Sequence, residues 1–133
     1  MGDLGVQRHH SRERALEVLY EATIKGRDVL TVVNELPLRP DEYAVLLLTS
    51  ASDHQEEAND LITRFALDWP LDRIAVVDRL VMTLAIGELL MVDGPPKAVV
   101  LDEAVELAKV FSTEGSSSFV NGVLSACADN LKI

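Results

Sequence analysis

Cysteine is nearly absent. The single Cys127 can close no internal disulfide, so a fold without cross-links in a reducing cytosol is the expectation. Aromatic residues are scarce too, 5% against 48% hydrophobic residues overall, which leaves the core to Leu, Val and Ala and favours helix packed on helix. The chain has no phosphate-cradling glycine loop, no nucleophile elbow and no Cys-x-x-Cys pair. Of its three histidines two are the adjacent His9 and His10, and none stands at a motif spacing from a carboxylate. Those absences point away from catalysis, with no catalytic residue, no metal and no cofactor expected. The most apolar run, Ile74 to Val92, is interrupted by Asp78, Arg79 and Glu88, charges that lipid would not accept, so it reads as a buried protein helix. The start, MGDLGVQRHHSRER, is too polar for a secretory signal, and a cytoplasmic protein is expected.

Positive charge is the other shortage: 12 Lys and Arg stand against 22 Asp and Glu, a net charge of −10. Across residues 1–14, Arg8, Arg12 and Arg14 against Asp3 and Glu13 give +1, which leaves −11 on the rest. Such a body repels nucleic acid in general and attracts basic proteins, so any RNA contact must be local. The N-terminal segment is the place for it, with His9 and His10 able to add charge beside a phosphate.

With 133 residues the chain can build one domain with a real core. Its punctuation suggests helices only. Ser11 to Lys25 carries Leu16, Leu19, Tyr20 and Ile24 on one side and stops at Gly26. Asp28 to Leu36 is a short second helix, ended by Pro37. From Asp41 to about Asp68 a stripe of Ala44, Leu48, Ala51, Gln55, Ala58, Ile62 and Phe65 predicts a long helix that weakens at Ser52–Glu57. Trp69-Pro70 breaks it. Asp72 is placed to cap Arg73 to Val92, which is apolar nearly all round, as a central helix would be. After the loop Asp93-Gly94-Pro95-Pro96, two further helices follow. The first places Val100, Ala104, Leu107 and Phe111 at helical spacing; the second places Phe119, Val123 and Ala126, with Val120, Leu124 and Cys127 beside them. A serine of Gly115-Ser116-Ser117-Ser118 is available to cap the second.

Two segments carry the functional candidates. Arg8, His9, His10, Arg12 and Arg14 could be an arginine-rich arm that orders on RNA, or a solvated terminus. Ser116, Ser117, Ser118 and Phe119 could hold a phosphate at a helix N-terminus with an aromatic nearby, or could be a plain cap with Phe119 in the core. Asp53, His54, Glu56, Glu57 and Asp60 include metal-ligand types, but one helix with no matching partner motif reads as a solvated face.

The pairing of DEAVELAKVFSTE with FVNGVL closely resembles the C-terminal signature of the NusB family of bacterial transcription antitermination factors. RERALEVLYEA is similar to that family's first helix, and Trp69 followed by LDRIAVVDRLVMTLAIGELL to its central one. The resemblance runs from about Arg8 to Leu124. It implies an all-α, NusB-like fold of two packed helical subdomains and about seven helices. It further implies a single domain over 1–133, with halves at about 8–68 and 69–133. The implied function is non-enzymatic: binding boxA-type RNA together with a small-subunit ribosomal protein, called NusE in this role, in an RNA polymerase antitermination complex at ribosomal RNA operons. By position the resemblance puts RNA on the arm and on Ser116–Phe119, and ties Tyr20 and Asp78 to partner function. Family members are monomers or homodimers. The other reading is a scaffold of the same fold, for protein interaction or ribosomal RNA processing, with RNA binding weakened or lost.

Overall fold

The computed structural model describes residues 3–67 and 69–132. Among these are seven α-helices and one 3-10 turn: α1 Asp3–Lys25, α2 Val29–Glu35, α3 Glu42–Asp53, α4 Gln55–Phe65, the turn Leu71–Arg73, α5 Val76–Leu89, α6 Lys97–Phe111 and α7 Ser116–Leu131. No strand occurs among the described residues, so the all-α expectation of about seven helices holds.

The centre is α5. Every residue from Leu80 to Leu89 is buried, as an all-round apolar helix requires, and α1, α3, α4, α6 and α7 all pack against it. Residue 87 is glycine because α3 crosses there: a Cβ on Gly87 would lie 2.9 Å from the backbone nitrogen of Ala51. The Ser50 hydroxyl donates to the Gly87 carbonyl at 2.7 Å across the same crossing. One apolar core runs through all seven helices, including Leu19, Val32, Leu48, Ile62, Met82, Val100 and Leu124, with Cys127 fully buried in it.

Several boundaries differ from the sequence expectation, each for a local reason. The first helix begins at Asp3, not Ser11, because Ser11 does not cap. Its hydroxyl bonds the Gln7 carbonyl at 3.0 Å and the Asp41 carboxylate at 2.5 Å, the geometry of a helix-interior serine. The predicted long third helix is two: His54 leaves helical geometry at φ −110° and ψ 22°, inside the weakened stretch, and α4 restarts at Gln55. The expected end near Asp68 lies outside the described residues. Asp72 does not cap the central helix; it sits in the 3-10 turn, and α5 starts at Val76 after extended Ala75. Asp28 and Asp41, by contrast, cap α2 and α3 by accepting from Thr31 and Ala44 N–H groups.

Candidate nucleic-acid and partner interface

The five basic residues of the expected arm lie on α1, already helical, and they separate by face. Arg12 points inward and is buried to 4% exposure. Its Nε and Nη2 donate to the two Glu88 oxygens at 2.9 and 2.6 Å, and Nη1 donates to Glu103 at 3.0 Å. Burial would lower its pKa, but the hydrogen bond to Glu88 and the charges of Glu88 and Glu103 outweigh that and raise it. The Tyr43 hydroxyl donates to Glu88 at 2.6 Å, so this carboxylate is fully engaged. His9 Nδ1 lies 3.0 Å from Glu103, and Nε2 lies 3.7 Å from Glu13. Arg14 donates to the Leu38 carbonyl at 3.1 Å, and His10 is exposed. Arg8 lies over the Tyr43 ring, 4.5 Å from its centroid. Arg12, and in part His9, thus pin α1 to the body; His10 is exposed, while Arg8 and Arg14 are half-buried and lie outside the Arg12–Glu88 cluster.

At the other end of α5, Asp78 is buried at 6% exposure. It accepts from Ser112 Oγ at 2.5 Å and from Ser116 Oγ at 2.9 Å, and Ser112 and Ser116 lie 3.0 Å apart. This cluster joins the end of α6 to the start of α7. It also corrects the expected cap: Gly115, at φ 89°, occupies the N-cap position of α7 and no serine side chain caps it. Positive φ suits glycine there. Ser116 is spoken for; Ser118 is exposed, Ser117 and Phe119 are half-buried. Phe119 lines an open cleft of about 450 Å³ with Trp69, Arg73, Asp78 and Gly115. Glu88 and Asp78 are ten residues apart on α5, so the anchor of the arm and the anchor of the α7 start lie about 15 Å apart along that helix at 1.5 Å per residue. The fold does not merge the two segments into one pocket.

Tyr20 is 43% exposed. It lines an apolar cleft of about 290 Å³ with Leu16, Glu17, Val77 and Phe111. Phe111, expected on the buried stripe of α6, is 39% exposed, whereas Val100, Ala104 and Leu107 of that stripe are buried. Asp53, Glu56, Glu57 and Asp60 are solvent-facing, and His54 contacts Glu57 at 3.2 Å.

The sequence pattern of the NusB family matches residues 9–129. The chain belongs to the NusB family. The transcription antitermination protein NusB of Acidothermus cellulolyticus is 45% identical over 127 residues, 92% of this chain and 88% of that one. Its counterpart in Streptomyces griseus is 40% identical over 131 residues, 92% of both chains. Among solved structures, T. maritima NusB superimposes with a TM-score of 0.81 at 33% identity, covering 92% of this chain and 90% of that one. Antitermination factors NusB and NusE solved in complex with dsRNA match at a TM-score of 0.77 and 30% identity, over 92% of this chain and 96% of that one.

Two residues of this NusB-family chain escaped the sequence reading. Tyr43 sits between the arm and Glu88, and burial together with the Glu88 hydrogen bond pushes its phenol pKa up. Trp69, read as a helix break and as the start of the segment that resembles the family's central helix but not as a site residue, is 53% exposed beside Phe119. An exposed aromatic after a helix stop was a usable signal for Trp69. Nothing in the local pattern marked Tyr43, whose partners are 35 residues upstream and 45 downstream.

Proposed function

We propose that the chain is a non-enzymatic transcription antitermination factor that binds boxA-type RNA together with the small-subunit ribosomal protein NusE, within an RNA polymerase antitermination complex. What supports this is likeness over nearly the whole chain to transcription antitermination proteins and to a NusB solved with NusE and dsRNA, combined with an α1 whose Arg8, His10 and Arg14 lie outside the buried Arg12–Glu88 cluster. In this reading those three meet phosphate and base, while Arg12 and His9 hold the helix that carries them. Ser117, Ser118 and Phe119 form a second RNA contact, and Asp78 positions it from below. Tyr20, with Phe111 and Val77, forms the contact for the ribosomal protein, whose basic character suits a body of charge −11. The two helical halves act as one domain divided near Trp69-Pro70.

The test titrates boxA-type single-stranded RNA into the protein, alone and with the ribosomal protein. We expect tighter binding by the pair, a weaker pair from Tyr20→Ala, and weaker RNA binding from Arg8→Ala with Arg14→Ala. Absence of RNA binding by the pair would refute the RNA function; full partner affinity in folded Tyr20→Ala would move the partner off this cleft. Sedimentation of the protein alone decides between monomer and homodimer.

A further inference from the structure

Beside the arm, α1 and the start of α3 enclose an open cavity of about 380 Å³, lined among others by Arg8, Ser11, Asp41, Glu42 and Tyr43. Its floor is fixed. The Tyr43 hydroxyl is anchored on Glu88 at 2.6 Å, and Glu88 is itself clamped by Arg12. Asp41 caps α3 and accepts from Ser11 at 2.5 Å, which fixes the wall. On this floor lies the Arg8 guanidinium, 4.5 Å from the ring centroid. That distance is a cation–π contact, and a guanidinium laid flat on the ring keeps its other face for a second stack.

We propose that this cavity is a base-binding subsite: Tyr43 holds Arg8 flat, and one unpaired nucleobase with an exocyclic amino group stacks on the free face of Arg8. The proposal rests on the RNA function above and adds to it a platform and a base. Two observations favour a base over a phosphate. The carboxylates Asp41 and Glu42 line the same cavity, so an anion is repelled there while amino N–H donors find acceptors. Arg8 is also placed to offer a plane, and unpaired RNA bases stack on arginine planes. Arg14 and His10, which stack on no ring in this way, stay with phosphate. The order in the subsite is therefore Glu88, Tyr43, Arg8, base, with only the last supplied by RNA.

The probe is a boxA-type single-stranded oligonucleotide, intact or with one base at a time replaced by an abasic site, bound to the protein with the ribosomal protein present. In the wild type, one abasic position should weaken binding roughly tenfold, the scale of one lost base stack. Arg8→Lys keeps the charge and loses the plane. It should bind intact RNA roughly tenfold more weakly with an unchanged salt slope, and should no longer distinguish that abasic position. Tyr43→Leu should behave alike, whereas Tyr43→Phe, which keeps the ring, should retain the position's effect. If Tyr43→Leu fails to fold, Arg8→Lys decides, since Arg8 bonds neither Glu88 nor Glu103 and meets their cluster only at the Tyr43 ring. A wild-type abasic profile in Arg8→Lys would overturn the subsite and leave the RNA function standing. Failure of the wild type to bind the intact RNA would overturn both.

Discussion

Arg12 carries its charge into the interior, and what meets it there decides its role. Glu88 is only 3% exposed, and it shares its two oxygens between Arg12 and Tyr43. Removing the arginine leaves a buried carboxylate with one neutral donor. We therefore expect Arg12→Ala to lose about 3–5 kcal/mol of stability, the usual result of stripping one partner from a buried pair. Arg8→Ala, outside that pair, should lose under about 1 kcal/mol. Urea midpoints of the two variants check this, and a wild-type midpoint for Arg12→Ala would contradict it. A variant that removes Arg8, Arg12 and Arg14 together would mix lost stability with lost RNA contact, so Arg12 belongs in the stability experiment alone. None of this was legible locally: Arg12 stands in a basic run, and its acids lie 76 and 91 residues away. The same holds for Asp78, a charge within an apolar run, and Ser116, a candidate cap, which lie 38 residues apart in sequence and close on each other in the fold. Cys127 is the contrary case, since its apolar neighbours already marked it as core. Burial pushes its thiol up from 9.0 to about 11. The folded state therefore keeps a proton that the unfolded chain releases near pH 9, so its contribution is complete below pH 9 and is lost as pH rises toward 11. Cys127→Ala should flatten the fall in melting temperature over that window, and parallel pH curves for the two proteins would refute it. Tyr43, also raised, leaves a further alkaline loss above pH 10 in both proteins.

The helices themselves were largely readable because their signals are short-range. Gly26, at φ 64°, ends α1, Asp28 opens α2, and Trp69-Pro70 separates α4 from the turn that follows. The break at His54 was legible only as a weakening, because the buried stripe from Ala44 to Ile62 continues through it on both sides. The early start of α1 was hidden because the side chain that looked like its cap, Ser11, turns to Asp41 on another helix. Glycines separate the two kinds of information well. Gly122 lies on the exposed side of α7 with nothing within 4 Å of a Cβ. Gly122→Ala should add about 1 kcal/mol through helix propensity alone. Gly87→Ala has the same propensity gain, yet its Cβ would meet Ala51 backbone atoms at 2.9 and 3.1 Å, and backbone cannot swing aside. Pushing α3 off α5 would also strain the bond from Ser50 to the Gly87 carbonyl. Overpacking should win by about 1–3 kcal/mol. Thermal melts should move in opposite directions for the two variants, and a rise for Gly87→Ala would show that the α3–α5 crossing is looser than its distances indicate.

At the scale of the whole molecule, α5 spaces the functions. Its C-terminal end anchors the arm through Glu88, and its N-terminal end anchors the α7 start through Asp78 and borders the Tyr20 cleft through Val77. An RNA touching both ends crosses about 15 Å of a molecule whose net charge is −10. Few cations are left for its phosphates: Arg14 and His10 on α1, and Arg73 beside Phe119. For single strands each phosphate contact contributes about 0.7 to the log–log salt slope, so the protein alone should show a slope no steeper than about −2. Replacing Arg14 and Arg73 together should remove up to about 1.4 of it. A basic ribosomal protein docked at the Tyr20 cleft would neutralise part of the acidic body and bring its own cations to the strand. The pair should therefore bind RNA more tightly and with a steeper slope, while the on-rate of pairing itself falls with added salt. Fluorescence anisotropy across a salt series, with and without the ribosomal protein, measures both slopes. Equal slopes would mean that the RNA gains no phosphate contact from the second protein. Its tighter binding would then have to come from ordering the NusB-family chain, through α1 or the Gly115–Phe119 segment, and not from shared charge.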